Sequence, residues 1–180
     1  IFALSGWVVG LLAVLFMAHY AYRSFVFPFR IKGGGKPKPW LTVVIAVVFN
    51  LVNGSVNAFD LSRAATPDPL WLGLGLALFV AGAAINHHAD WVLLNLRKPG
   101  ETDYKIPHGG LYAYVSAPNY LGEMIQWIGF ALAACTPAAA VFAWFTFCNL
   151  APRAHSHHQW YRERFEDYPE QRKRLIPFIW

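Results

Sequence analysis

The stretch Pro69-Leu-Trp-Leu-Gly-Leu-Gly-Leu-Ala-Leu-Phe-Val-Ala-Gly-Ala-Ala84, continued by Ile85-Asn86-His-His-Ala89, meets its first charge only at Asp90. Such a run, about 20 residues long, spans a hydrocarbon core of ~30 Å as a helix. Outward from it the pattern repeats. Ile1–Ala18, Trp40–Phe59 and Met124–Pro152 also lack Asp, Glu, Lys and Arg. The last of these is too long for one straight crossing, and Thr136-Pro137 divides it, because proline forfeits a helix hydrogen bond and restricts its predecessor. The expectation is an all-α, multi-pass bundle of five helices. They run to about Tyr22, over Trp40–Phe59, from Pro69 to at least Asn95, from a Ser116 cap onward, and from Pro137 past Leu150.

Composition agrees. The 180 residues are 56% hydrophobic and only 14% charged, against roughly a quarter charged in soluble domains. Disorder, collagen and disulfide scaffolds are excluded. The net charge of +5 is not a nucleic-acid signature, because of where the cations fall. Arg23, Arg30, Lys32, Lys36 and Lys38 share one connection, Arg97, Lys98 and Lys105 another, and six more follow Pro152; Arg63 alone lies opposite. This positive-inside bias puts the C-terminus in the cytoplasm, in either a bacterial inner membrane or the endoplasmic reticulum. Cys135 and Cys148 read as small hydrophobes inside helices. The chain begins at Ile1, already within an apolar span, and further helices are expected to precede it.

Polar groups inside the spans are costly and should face protein or a wet cavity. Asn50, Asn53 and Asn57 fall on one helical face; Asn86, Asp90 and Arg97 on another; Asn119, Glu123 and Gln126 on a third. The first stripe reads equally as helix-joining amides or as cavity lining. Asp90 and Glu123, beside Arg97, read as acceptors for a bound ligand, and Arg97 as a fork for phosphate. If the last helix continues past Pro152, Arg153, His157 and Tyr161 share a face suited to pyrophosphate or ribose. His155, His157 and His158 lack the spacing and partners of a metal site. No Rossmann or Walker glycine pattern is present, so any nucleotide is held by side chains across helices. Tyr20 and Arg23, on their own, read as an interfacial anchor and a snorkelling cation.

Several motifs are similar to those of the steroid 5α-reductase family. They are Asn86-x-x-x-Asp90, Leu96-Arg-Lys-Pro-Gly-Glu101, Tyr104-Lys-Ile-Pro-His-Gly-Gly-Leu111, Tyr114-Val-Ser116, Asn119-Tyr-Leu-Gly-Glu123, Phe165-Glu-Asp-Tyr-Pro169 and Leu175-Ile-Pro-Phe-Ile179. The resemblance is dense over 84–180 and thinner over His19-Tyr20 and Arg23-Ser-Phe-Val26. It implies one membrane-embedded reductase domain, a seven-helix fold in the complete family, and NADPH as cofactor. The implied reaction reduces the 4,5 double bond of a 3-oxo-Δ4-steroid, with hydride going to C5. Tyr20 then matches the tyrosine that hydrogen-bonds the 3-keto oxygen. Arg23, Asn86, Asp90, Arg97, Tyr104, Asn119, Glu123, Arg153, His157 and Tyr161 match positions lining the NADPH site. The glutamate that the family pairs with its tyrosine, from a more N-terminal helix, has no match here. The substrate would be a steroid or other lipophilic enone entering from lipid, with no obligate protein partner. Rival readings are an enoyl thioester or other sterol reductase, an isoprenylcysteine-type methyltransferase using S-adenosylmethionine, and a non-catalytic lipid-binding protein.

Overall fold

The computed structural model describes residues 6–31, 39–98, 101 and 103–180. Helix α1, Gly6–Ala21, does not stop near Tyr22: it passes through a π-helical turn, Tyr22–Val26, into a short α2, Phe27–Arg30. The turn matters because π-helical bulges recur at functional sites, and this one carries Arg23. Helix α3 spans Trp40–Arg63 and α4 spans Pro69–Asn95. Asp68 caps α4 by accepting from the Leu70 amide at 2.7 Å, with Pro69 in the first turn where its missing N–H costs nothing.

Helix α5, Pro118–Ala134, starts differently from the expectation. Ala117 occupies the cap with no side-chain bond, because the Ser116 hydroxyl is engaged by the C-terminal tail instead. The division at Thr136-Pro137 is as read. Cys135 takes a left-handed conformation at φ 51°, Thr136 caps the next helix through the Ala139 amide, and α6 runs over Pro137–Arg164. Cys135 is thus an exposed turn residue and not a helical one. Asp60 at the end of α3 also accepts from Ala138 N at 2.9 Å, a carboxylate on the positive end of α6.

Three helical stretches, Gly6–Arg30, Trp40–Arg63 and Pro69–Asn95, are long and apolar enough to cross a membrane. The other two of the five expected spans are less distinct. α5 has 17 residues, nine of them buried in protein, and the second half of α6 is polar. Among the described residues there is no strand; an isolated parallel bridge joins Val115 and Lys173.

The α4–α5 pair forms the most extensive helix contact. Its axes approach until Gly75 and Gly82 lie against the backbone of Gly129 and Gly122, the small-residue packing that replaces a hydrophobic drive inside lipid. Beside it Trp127 centres a core with Val8, Leu12, Phe79, Phe130 and Phe142. A second core, under the tail, joins Ala117, Met124, Leu150, Ala154 and Leu175.

Candidate functional site

The polar stripes of α4 and α5 meet, and the group between them is Arg23. Its Nη1 lies 2.7 Å from Asp90 Oδ2 and its Nη2 lies 2.6 Å from Glu123 Oε2. Asn86 Nδ2 donates to the Asn119 carbonyl at 2.8 Å and approaches Glu123 Oε2 at 3.4 Å, while Asn119 Nδ2 reaches Asp90 Oδ1 at 3.4 Å. Five expected site residues therefore form one network. The expected face shared by Asn86, Asp90 and Arg97 holds for the first two only, and the cation on the carboxylates is Arg23. α4 ends at Asn95, so Arg97 leaves the helical face that periodicity would give it.

Arg97 instead lies over the Tyr104 ring, with its guanidinium carbon 5.2 Å from the centroid. With Phe27, Lys105, His157 and Tyr161 these two line a cavity of about 280 Å³. A neighbouring cavity of about 710 Å³ is bounded by Tyr104, Ser156, His157, Trp160, Tyr161 and Arg164. Because α6 does continue past Pro152, Arg153, His157 and Tyr161 share a side as expected. Arg153 lies close enough to act on both Tyr120 and His157. In this polar half of α6, burial followed by Arg153 pushes the His157 imidazole below its usual range, and burial raises the Tyr161 phenol.

Tyr120 joins the two halves of the site. Its ring lies 5.6 Å from that of His157, and it sits within electrostatic reach of Arg153, Glu123, Arg23 and Asp90. Sequence reading missed it, since a tyrosine in a helix's first turn resembles a membrane-interface residue. Trp160, Arg164 and Phe27 were missed for the same reason. Glu101 takes no part: its carboxylate accepts from the Lys98 amide at 2.8 Å and pairs with Lys105, whose hydrogen bond holds it below the ordinary glutamate range. Lys36 and Lys38, alternative cations for a 2′-phosphate, lie outside the described residues.

Tyr20 is half-buried one turn before Arg23, in an aromatic nest with Phe16, His19 and Trp127. Glu123 and Asn53 are the polar groups close enough to act on its hydroxyl. The α3 stripe does not join the ion network. Asn50 donates to the Ala46 carbonyl, and Asn57 to Asn53 O and Oδ1, all within α3. Among the described residues Asn53 Nδ2 and Asn57 Oδ1 are buried without a hydrogen bond. Both residues face an apolar crevice of about 480 Å³ between α3 and α6, walled by Phe49, Phe142 and Phe145. Asn53 and Asn57 thus line this crevice, and Asn53 also acts across helices on Tyr20.

The Arg23 bridge makes a direct prediction. Its side chain is 22% exposed and that of Asp90 is 1% exposed, so Arg23→Met strands a buried carboxylate. The expected loss is about 3 kcal/mol, the low end for breaking a buried pair because Arg23 keeps some solvent. Chemical denaturation in detergent measures it, and Asp90→Asn in the same background should recover part of the loss.

The family model for 3-oxo-5-alpha-steroid 4-dehydrogenase matches residues 36–180. The chain is 49% identical to 3-oxo-5-alpha-steroid 4-dehydrogenase 1 of Bos taurus, over 98% of its own length and 70% of the bovine protein. It is 46% identical to the Homo sapiens type 1 protein over 94% of the chain and 67% of that relative. Against the human type 2 protein the identity is 44%, over 92% of the chain and 66% of the relative. The chain thus spans about two thirds of the length of these relatives. A family match over most of the chain, together with identities of 44–49% to these relatives, shows that the chain belongs to the 3-oxo-5-alpha-steroid 4-dehydrogenase family of oxidoreductases.

Proposed function

We propose that this chain forms the cofactor-binding and tyrosine-bearing part of a membrane reductase that uses NADPH to reduce the 4,5 double bond of 3-oxo-Δ4-steroids. The observation that carries the reading is the two-part polar site. One end, at Tyr20, offers carboxylates and amides that accept from or donate to hydroxyls and a carboxamide. The other end offers Arg97, Arg153 and Arg164 among aromatic rings, which suits phosphates and a stacked base. Buried Arg172, whose Nε and Nη1 make no hydrogen bond among the described residues, adds a further cation acting on Tyr161. This donor set fits a dinucleotide phosphate. Arg23, Asn86, Asp90, Asn119 and Glu123 would hold its nicotinamide half, and Arg97, Tyr104, Arg153, His157 and Tyr161 its phosphates and adenosine.

When bound, such a cofactor supplies hydride. The chain's own residues do the rest. As the β-carbon of the enone gains the hydride's electron pair, negative charge builds on the 3-keto oxygen, and the Tyr20 hydroxyl stabilises it as a hydrogen-bond donor. Apolar walls around Tyr20 exclude water and strengthen that bond. The steroid would enter laterally from the bilayer through the crevice between α3 and α6, where Asn53 and Asn57 suit its polar end. We place the basic connections and the C-terminal tail on the cytoplasmic side, where the nucleotide is.

The test is NADPH absorbance in detergent with full-length protein. Addition of a Δ4-3-ketosteroid should consume NADPH, and an enoyl thioester should not. Consumption with the thioester alone, or stabilisation by S-adenosylmethionine in place of NADPH, would replace this reading with a rival.

The guanidiniums of Arg97 and Arg164 lie 5.2 and 6.0 Å from the same Tyr104 ring, which makes them the cations expected at the 2′-phosphate. Replacing both with alanine should weaken NADPH binding by about 10- to 100-fold, the range for lost charged hydrogen bonds. NADH binding should stay within about twofold. Equal losses for both nucleotides would assign the pair to the pyrophosphate instead.

A further inference from the structure

The C-terminal tail folds back across the start of α5, and its connection to the site is covalently remote but physically short. Ser116 is the hub. Its Oγ lies 2.6 Å from the Tyr168 hydroxyl, 2.7 Å from His158 Nδ1 and 3.1 Å from the Lys173 carbonyl. The backbone fastens the same place: Ser116 N donates to Lys173 O at 2.8 Å and Lys173 N to Tyr114 O at 2.7 Å. Ser116, His158 and Tyr168 are all buried. With His158 neutral, one arrangement satisfies every group. Tyr168 Oη and the His158 Nδ1–H donate to Ser116 Oγ, and Ser116 Oγ donates to the Lys173 carbonyl, which also accepts from the Ser116 amide. Burial first, then the cations Arg162, Arg174 and Arg172 and the neighbouring His155, push His158 down to about 4, which keeps it in that neutral form.

Such a cluster would be ordinary tail packing were it not for its neighbours. The Tyr168 ring stacks on Tyr161, with centroids 5.4 Å apart and planes 11° apart. His158 follows His157 directly, and Ser116 lies three residues before Asn119. The chain of hydrogen bonds therefore ties the phosphate-side face of α6 to the α5 end that carries Asn119 and Glu123. Neither half needs the tail for its own helix. The two helices also pack directly on each other, and the tail fastens one end of that contact.

We propose that Tyr168 is a positioning residue of the cofactor site: through Ser116 and His158 it sets the Tyr161–His157 face of α6 against the Asn119–Glu123 end of α5. The proposal rests on the NADPH reading above. It assigns the tail a role in nucleotide affinity and not merely in stability. Tyr168 touches neither substrate nor cofactor.

The experiment measures NADPH binding to full-length protein in detergent without steroid, alongside melting temperature and steady-state constants. Tyr168→Phe keeps the stack and removes one hydroxyl; Ser116→Ala removes the hub. Each should raise the NADPH Kd and KM about three- to tenfold, the size of one net hydrogen bond, with kcat at saturating NADPH and the steroid KM within about twofold. Because both variants cut one chain, the double variant should lose no more than the larger single loss. Leu175→Ala, in the same tail but packed on the apolar core, should lower the melting temperature without moving the NADPH Kd. An unchanged Kd in Tyr168→Phe and Ser116→Ala, with melting lowered as in Leu175→Ala, overturns the proposal and leaves the NADPH reading standing. If the parent protein binds no NADPH, the cofactor reading itself falls, and the proposal with it.

Discussion

Tyr20→Phe should lower turnover by about two to three orders of magnitude, the usual cost of removing one donor to a developing oxyanion. The substitution takes away only a hydroxyl. The ring keeps its contacts with Phe16, His19 and Trp127 at centroid distances of 5.0, 5.4 and 5.8 Å, so folding should change by little. Arg23, one turn on, still bridges Asp90 and Glu123, so NADPH affinity should hold. The loss belongs in kcat as well as kcat/KM, because the bond strengthens as charge reaches the oxygen. Since the chain spans about two thirds of its relatives, the assay belongs in the full-length protein. An interfacial anchor would behave otherwise: near-parental turnover in Tyr20→Phe would return the residue to that role and send the search for the donor to His19 or Asn53.

Tyr20 also shows where sequence stops being informative. Taken alone it had no claim to function, and the similarity of His19-Tyr20 and Arg23 to a family pattern supplied one. The helices themselves were legible because burial in lipid demands long uncharged runs, and proline, Asp68 and Thr136 mark their ends. Site residues on one helix were legible as periodic stripes. Partnership between helices was not. Arg97, seven residues beyond Asp90, belongs to its face only if α4 continues, and α4 ends first; the cation on Asp90 is Arg23, 67 residues away in sequence. The π-helical turn that presents Arg23 leaves no periodic trace. Ser116 read as a helix cap because a serine two residues before Pro118 fits that pattern, and only the returning tail reveals its other use. Local rules place a residue on an element. Long-range pairing depends on how elements approach, which the sequence records only indirectly.

Closest approach is where the second large effect is expected. A Cβ added at Gly82 would meet Gln126 N at 2.3 Å and the Gly122 carbonyl oxygen at 2.5 Å. Those obstacles are backbone atoms of α5, which cannot rotate away as a side chain could. Gly82→Ala must therefore push α4 and α5 apart, and the expected cost is about 3 kcal/mol or more, above the usual 1–3 for an added methylene, where side chains can yield. The displacement falls at the site. Gly82 is one turn from Asn86, and Gly122, opposite it, precedes Glu123. Separating the helices lengthens the Asn86–Asn119 bond of 2.8 Å and pulls Asp90 from Glu123 across the Arg23 bridge. NADPH binding should accordingly weaken along with stability. Gly73→Ala on the same helix is the control, since nothing lies within 4 Å of its added Cβ; helix propensity favours alanine there by up to about 1 kcal/mol. Melting curves in detergent and NADPH titrations read both consequences. A Gly82→Ala protein that melts with Gly73→Ala and binds NADPH like the parent would show that α4 and α5 do not pack backbone against backbone, and the Asp90–Arg23–Glu123 geometry would have to be redrawn with them.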